Sequence, residues 1–589
     1  MTRERREVLA LVLLAVLLRL VHLAAVLPTP VFQYHRTFEE SDMFLFDDWA
    51  RRIEGGDVLG RDAPHFVMRW QTSLAPRERW LDWYGPAPVF FKAPFYAYLV
   101  AGLRALFGDA MLPLALLQIA VSAVTLVLLV RVGEDLVGPR AARLGGLLFA
   151  VYGPAIHFDT VMLRGPWIQF AALAVVWLLQ RLRDRPGWPR AAALGLGLGA
   201  ALLVNEGFLL LPVLTLLAVA AWVRDRRVLP LSAGVLLGLG AALAPLVARN
   251  VAVGAPPLAL ATTGALAFAQ YNSALLSPNF YEAQPAIVTI MEQGGGRLLP
   301  TIAASLRTFA GPLDLLRFYV VKGLGFAIPF ENPDNVSYYY VQLKDPLLAV
   351  LPGHAIVFPL VAAGFACVRR WRALWPLAPA ALTLFLSTYL TQVFSRFRVT
   401  LFVLLLPLAG LALERLLGWA RERRWRPLAA SLLALAALAV VLSQLQARVV
   451  FQGRPAGEFL YRGSEFHASA RDLAERGAFA AARQEMTALV ARNPDVFTRA
   501  TSLLTLANLH LGTGDTAGAR AQVESAARLG TRDPVVLTRV GDAYDQLLQD
   551  PAAALGAYRA AEAIAADPRV RQALAARIGG LQARYNPPR

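Results

Sequence analysis

Lysine is nearly absent from this chain: Lys92, Lys322 and Lys344 are the only three, so arginine supplies 55 of the 58 basic side chains. Cysteine is rarer still. Cys367 stands alone in an apolar run, which excludes an intrachain disulfide framework and a thiolate metal cage. Histidine brings no ligand set either, since His35, His65 and His354 are scattered without metal-ligand spacing. Charge as a whole is scarce, at 17% of residues against the roughly 25% of an ordinary soluble domain. What is abundant is apolar: 57% of the 589 residues are hydrophobic and the mean hydropathy is +0.48. Such a balance belongs to a chain that spends much of its length in lipid. The net charge of +17 does not point to nucleic acid. Its arginines sit in short runs between apolar segments, as membrane orientation requires, and no groove-reading motif accompanies them.

A spanning helix needs about 20 mostly apolar residues. The first candidate is Val8 to Leu27, behind Arg3, Arg5 and Arg6. A cleaved signal peptide shares that pattern, but the many later spans favour a retained helix. Further apolar stretches run from Met111 to Val130, Leu144 to Ile156, Pro166 to Leu179, Ala191 to Val204, Phe208 to Val223 and Leu229 to Val247. Four more follow: Leu347 to Val368, Leu374 to Leu390, Val399 to Leu416 and Pro427 to Leu445. Alternate connections carry the arginines: Arg131, Arg140 and Arg143; Arg181, Arg183, Arg185 and Arg190; Arg224, Arg226 and Arg227; Arg369, Arg370 and Arg372; then Arg415 to Arg426. Placing these in the cytoplasm gives eleven spans with a cytoplasmic N-terminus. Residues 28–110, 248–346 and everything after 447 then lie outside the cytoplasm. The polar joints His157–Arg164, Asn205–Glu206 and Thr391–Arg398 face the same way.

The expected class is therefore all-α: a polytopic membrane bundle over 1–447, a linker at 448–463, and a helical repeat domain over 464–589. In that last region Ala470, Ala482 and Pro494 are spaced 12 and 12, and Ala507 and Ala519 repeat the 12 ahead of Pro534. Gly541, Tyr544, Ala553 and Pro568 make a third round. The pattern resembles the tetratricopeptide repeat, whose unit is about 34 residues, and three units are about the minimum for a stable stack. A plain array of α-hairpins without a ligand groove is the simpler alternative.

The first outer loop carries the acidic run Glu39, Glu40, Asp42, Asp47 and Asp48. A helix there would put Asp42, Phe46, Ala50 and Ile53 on one face, an acid heading an apolar stripe. The simpler reading is an acidic helix start facing water, where the dipole favours negative charge. Further on, Lys92 precedes Ala93-Pro94-Phe95-Tyr96. Such a lysine either snorkels to the membrane interface or binds a phosphate as a point charge. Arg164 and Glu206 are membrane-edge charges and hence functional candidates, whereas Arg19 and His22 read as snorkelling or satisfied polar groups. Gly195, Gly197 and Gly199 read as close helix packing, and Gly294-Gly295-Gly296 as a flexible bend.

The series Asp42, Phe46, Ala50, Gly56-Asp57 and Lys92-Ala93-Pro94-Phe95-Tyr96 resembles the start of a GT-C glycosyltransferase of the protein O-mannosyltransferase and aminoarabinose-transferase branch. Arg249-Asn250, Gln270-Tyr271-Asn272 and the Ser395-Arg396-Phe397-Arg398 element extend the resemblance over roughly residues 8–420. It implies a sugar donor on a polyprenyl phosphate, a catalytic acid at Asp42 and a donor-phosphate contact at Lys92. It departs from the family in having Met43 after Asp42, where an Asp-Glu pair is common, and Asn205-Glu206 where Arg-Pro is common. The first departure leaves open whether Glu40 shares the role of Asp42.

Chemistry of that kind needs a base to take the acceptor proton and a charge sink for the departing phosphate. Asp42 is the candidate base; Lys92, Arg249, Arg396 and Arg398 are the candidate phosphate contacts. Glu40, Asp47, Arg164, Glu206, Asn250 and Asn272 stand behind them. Attack on one face implies inversion at the anomeric carbon, without the carboxyl pair of a glycosidase. No cofactor is required; a divalent metal is compatible, but no ligand spacing calls for one. The implied partners are a polyprenyl-phosphate sugar, membrane lipid, and a protein, glycan or lipid acceptor that the repeat domain would hold. Two other classes compete. A transporter or flippase of a lipid-linked sugar would show charges deep in the spans and inverted repeats. A non-catalytic scaffold would use only the repeats.

Overall fold

Long apolar runs, cut by proline, glycine and arginine, leave the chain few ways to satisfy its backbone other than helix. In the computed structural model the described residues are 3–61, 65–85, 88–223, 226–280, 284–565 and 568–585, and among them there is helix and no strand. Arg224, one of the expected cytoplasmic arginines, lies outside the described residues. The chain divides into two compact units, Met1–Gly453 and Arg454–Arg589.

Helix underlies each of the eleven expected apolar stretches. Among the described residues seven helices are long and apolar enough to cross a membrane: Arg3–Val26, Met111–Val137, Glu206–Val223, Val228–Val253, Leu347–Cys367, Ser395–Arg421 and Trp425–Val450. Phe95–Phe107, Trp188–Val204 and Ala378–Leu390 are shorter apolar helices. The expected span near Leu144 breaks at Tyr152, where Pro139–Val151 gives way to Gly153–Asp159. Arg249-Asn250, expected just after a span, lies instead in the last turns of Val228–Val253, which continues through Pro245. The glycines of Trp188–Val204 do serve close packing. A Cβ on Gly195 would stand 2.0 Å from the Val235 carbonyl, and one on Gly238 would stand 2.0 Å from the Ala192 carbonyl. Only glycine lets these two backbones approach so closely.

The two large connections, residues 27–110 and 254–346, fold onto each other around a small core of their own. Trp80, Trp83, Tyr84 and Phe91 from the first pack against Leu266, Ile287, Ile290 and Met291 from the second. Each Leu- or Phe-sized side chain buried there contributes roughly 1.5–3 kcal/mol before entropy. The glycine run at 294–296 forms a turn packed against the first connection. Gly296 has φ +69°, and a Cβ there would meet the Trp83 carbonyl oxygen at 2.2 Å.

The segment expected to be a plain linker is partly helical: a π turn continues the last long helix over Gln446–Val450, and a short helix follows at Gly457–Leu460. In the second unit, helices begin at Gly463, Val496, Pro534 and Pro568, each of the first three followed by a second helix, at Phe479, Thr516 and Pro551. Consecutive helices pack together, and so do the first helices of neighbouring pairs. Asp495, Asp515, Asp533 and Asp550 each cap a helix start by accepting a backbone N–H, replacing water at donors the helix cannot satisfy. Ala470, Ala482, Ala507 and Ala519, the positions spaced by 12, are all buried.

Candidate active site

Asp42 opens a helix, Asp42–Glu54, that Ser41 caps by accepting the Phe44 N–H at 3.1 Å. The apolar stripe below it is buried as its spacing implies: Phe46 is 1% and Ala50 0% exposed. The packed stripe draws the acid at its head out of bulk water, and Asp42 itself is buried. Both of its oxygens face cations. Lys92 Nζ donates to Oδ1, and Arg396 Nη1 donates to Oδ2 at 2.5 Å. Lys92 is held at the entry of Phe95–Phe107 behind Pro94, and Arg396 opens Ser395–Arg421. Burial alone would push the Asp42 carboxyl up; the Lys92 ammonium and the Arg396 guanidinium override it and hold the group well below the usual carboxylate range.

Beside this trio stands a second pair. Arg164 grips Glu206 with both Nη atoms, at 2.6 and 3.0 Å, the bidentate geometry that makes such pairs strong. Glu206 Oε2 also accepts the Ala93 N–H at 3.1 Å, next to Lys92. On the far side of Arg396, Asp334 stands 2.5 Å from its Nε. The cluster thus holds Asp42, Glu206 and Asp334 against Lys92, Arg164 and Arg396. Its members come from five separate connections between the long apolar helices or from the helix starts that follow them, so those connections meet at one end of the bundle.

Other candidates lie elsewhere or are already engaged. Arg249 donates to the Leu59 and Gly60 carbonyls at 2.7 Å each and to Asn250 at 2.9 Å, with its guanidinium 3.7 Å from the Phe90 ring. It ties the end of its helix to the first connection instead of facing Asp42. Asn250 donates to the Pro257 and Ala259 carbonyls. Arg398 is 1% exposed and is engaged by Glu331 at 2.9 Å and by the carbonyls of Gly325, Ile328 and Phe330. Asn272 accepts from Lys322 and Tyr319 and donates to Phe268 and Leu390. Asp47 ties two helices together through Arg51 and Arg104. Glu40 is exposed. Arg19 and His22 do not snorkel: both are fully buried, Arg19 against Asp159 and His22 against Asp345 at 2.6 Å.

Asp334 and Asn335 were not singled out from the sequence. Their signal was the polar run Glu331-Asn332-Pro333-Asp334-Asn335 between Phe330 and the Tyr338–Tyr340 aromatics. Among the described residues no group of three or more His, Cys, Asp or Glu side chains could hold a metal ion. Because Asp42 already faces two cationic side chains, the residues present do not fit a metal there.

Residues 91–249 match the family described as dolichyl-phosphate-mannose-protein mannosyltransferase. This match spans 159 of the 589 residues. It covers Lys92, Arg164, Glu206 and Arg249 and leaves Asp42, Asp334 and Arg396 outside. No curated protein matches the chain. Among solved structures, the Archaeoglobus fulgidus oligosaccharyltransferase in its apo form shares 15% identity at a TM-score of 0.36, over 75% of this chain and 56% of that one. The archaeal oligosaccharyltransferase AglB from the same organism, in complex with an inhibitory peptide and a dolichol-phosphate, shares 15% identity at a TM-score of 0.37 over the same fractions. The chain therefore spans little more than half the length of these enzymes, and likeness at such TM-scores decides nothing about activity.

Proposed function

We propose that this chain is an inverting glycosyltransferase that moves a sugar from a polyprenyl phosphate to a hydroxyl of a protein, glycan or lipid acceptor. One observation carries the reading: a buried carboxylate is held between Lys92 and Arg396, on connections that meet at one end of a membrane bundle. Asp42 takes the proton of the attacking hydroxyl. Lys92 and Arg396 face the phosphate and stabilise the charge it gains on leaving. Arg164 and Glu206 hold the Lys92 segment in place through the Ala93 N–H. Eleven spans with a cytoplasmic N-terminus put this end, and the second unit, outside the cytoplasm. That unit, as a tetratricopeptide-type stack, would hold the acceptor.

The test uses the full chain in lipid nanodiscs with labelled polyprenyl-phosphate sugars. The expected result is transfer with inversion at the anomeric carbon, lost in Asp42→Asn at unchanged membrane level. Transfer undiminished in Asp42→Asn would remove Asp42 from the chemistry. Retention of configuration would contradict the single displacement.

A further inference from the structure

Four residues close a ring at the site. Asn335 Oδ1 accepts the Asp42 backbone N–H at 2.5 Å, and Asn335 Nδ2 donates to Asp334 Oδ2 at 3.0 Å. Asp334 Oδ2 in turn pairs with Arg396 Nε at 2.5 Å, and Arg396 Nη1 returns to Asp42 Oδ2 at 2.5 Å. Arg396 thus has two carboxylates on different atoms of one guanidinium. They come from different connections and differ in surroundings: the Asp42 side chain is 9% exposed and that of Asp334 24%.

That asymmetry matters once the reaction is balanced. The acceptor oxygen bonds to the anomeric carbon, the bond from that carbon to the phosphate oxygen breaks with its electron pair going to phosphate, and the acceptor proton goes to Asp42. Phosphate gains one negative charge as Asp42 loses one. Lys92 and Arg396 therefore lose the Asp42 carboxylate as the leaving group comes to need them. A long arginine side chain released from its only anchor would regain its rotamer freedom. Asp334 takes no proton in this scheme, so it keeps its charge and its ion pair on the Nε side of the guanidinium, leaving the Nη atoms for phosphate.

We propose that Asp334 is a positioning residue that keeps Arg396 in place while Asp42 is neutralised, so that one guanidinium serves first the base and then the leaving phosphate. The role rests on the glycosyltransferase reading above. It extends that reading to a carboxylate on the second large connection, and it makes Asn335 the link that keeps Asp334 in register with Asp42.

The test compares the full chain in nanodiscs with Asp334→Asn, Asp334→Glu, Arg396→Gln and the Asp334→Asn/Arg396→Gln double variant. Binding of a polyprenyl monophosphate and turnover of the donor are both measured. Asp334→Asn is expected to weaken binding and lower kcat by about tenfold or more, the scale of a lost charge-assisted contact. Asp334→Glu should recover most of both. In the Arg396→Gln background, Asp334→Asn should change either quantity by less than about twofold, because it acts through Arg396. A parent that binds and transfers, with Asp334→Asn within about twofold of it, overturns the role and leaves the glycosyltransferase reading intact. Equal losses from Asp334→Asn in both backgrounds also overturn it, since a general loss of structure acts without Arg396. A parent that neither binds polyprenyl monophosphate nor transfers sugar overturns the reading and this role together.

Discussion

The two ends of the membrane unit use the same residue type for opposite purposes. At one end several arginines are exposed and loosely paired: Arg140 is 47% exposed and 4.0 Å from Glu414, and Arg181 is 51% exposed and 4.0 Å from Asp184. Arg143 joins that end to the first helix through Glu7 at 3.0 Å. At the other end Arg164, Arg396 and Lys92 are 8%, 13% and 13% exposed, each facing a carboxylate at contact distance. Pairs in water contribute little and are screened by salt; buried ones must be matched or they destabilise. Orienting a chain in a membrane needs only net positive charge on one side. Stabilising a departing phosphate needs cations held out of water in fixed positions. On the proposed function, the contrast would separate arginines that set topology from those that serve chemistry.

The largest effect that would break this contrast belongs to Asp42. Its replacement by Asn is expected to cost about 10²–10⁴ in turnover, the range of a lost general base, measured as initial transfer rate at matched protein level. Lys92→Gln comes next. It should cut donor turnover by about tenfold or more, the scale of a lost charge-assisted contact, mainly through the donor KM. It should also move the acid limb of the pH–rate profile upward. The sign follows from the cations: they hold Asp42 low, so its carboxylate persists where an ordinary aspartate, near about 3.9, has taken a proton. Removing one cation lets the carboxyl rise. The linked stability has the same sense, present above the unfolded carboxyl's pKa and lost as pH falls towards the depressed folded value.

Glu206→Ala should act on structure first. It strips Arg164 of its bidentate partner, and because Glu206 is 26% exposed the cost should lie at the low end of the ~3–5 kcal/mol for breaking a buried pair, read as a lower Tm. The smallest effect is expected at the exposed end. Arg140→Gln and Arg181→Gln should each change stability by no more than about 0.5 kcal/mol and leave transfer unchanged. A large loss of transfer from either would erase the distinction between the two ends.

How far the site could be read in advance depended on how local each signal was. Asp42 was legible because an acid at the head of an i, i+4, i+8 apolar stripe is a feature of one helix. Lys92 was legible because the chain has so few lysines. The joints carrying Arg164, Glu206 and Arg396 were legible as one side through the arginine alternation, which is a rule about connections. Their pairing was not, since Arg164 and Glu206 are 42 residues apart and Arg396 and Asp42 are 354 apart. Arg249 and Arg398 show the converse. Motif position suggested phosphate contacts, but buried arginines near helix ends also serve to satisfy loop carbonyls, and nothing in the local sequence separates the two uses. Asp334 was missed because it sits in a loop with no periodicity.

The central claim is that Asp42, Lys92 and Arg396 form a donor-phosphate site. It is tested most directly by a cryo-EM structure of the full chain with a bound polyprenyl monophosphate. The phosphate is expected within hydrogen-bond reach of Lys92 Nζ and the Arg396 guanidinium, with Arg396 still paired to Asp334. A phosphate bound elsewhere in the bundle, with Asp42 still gripped by both cations, would contradict it.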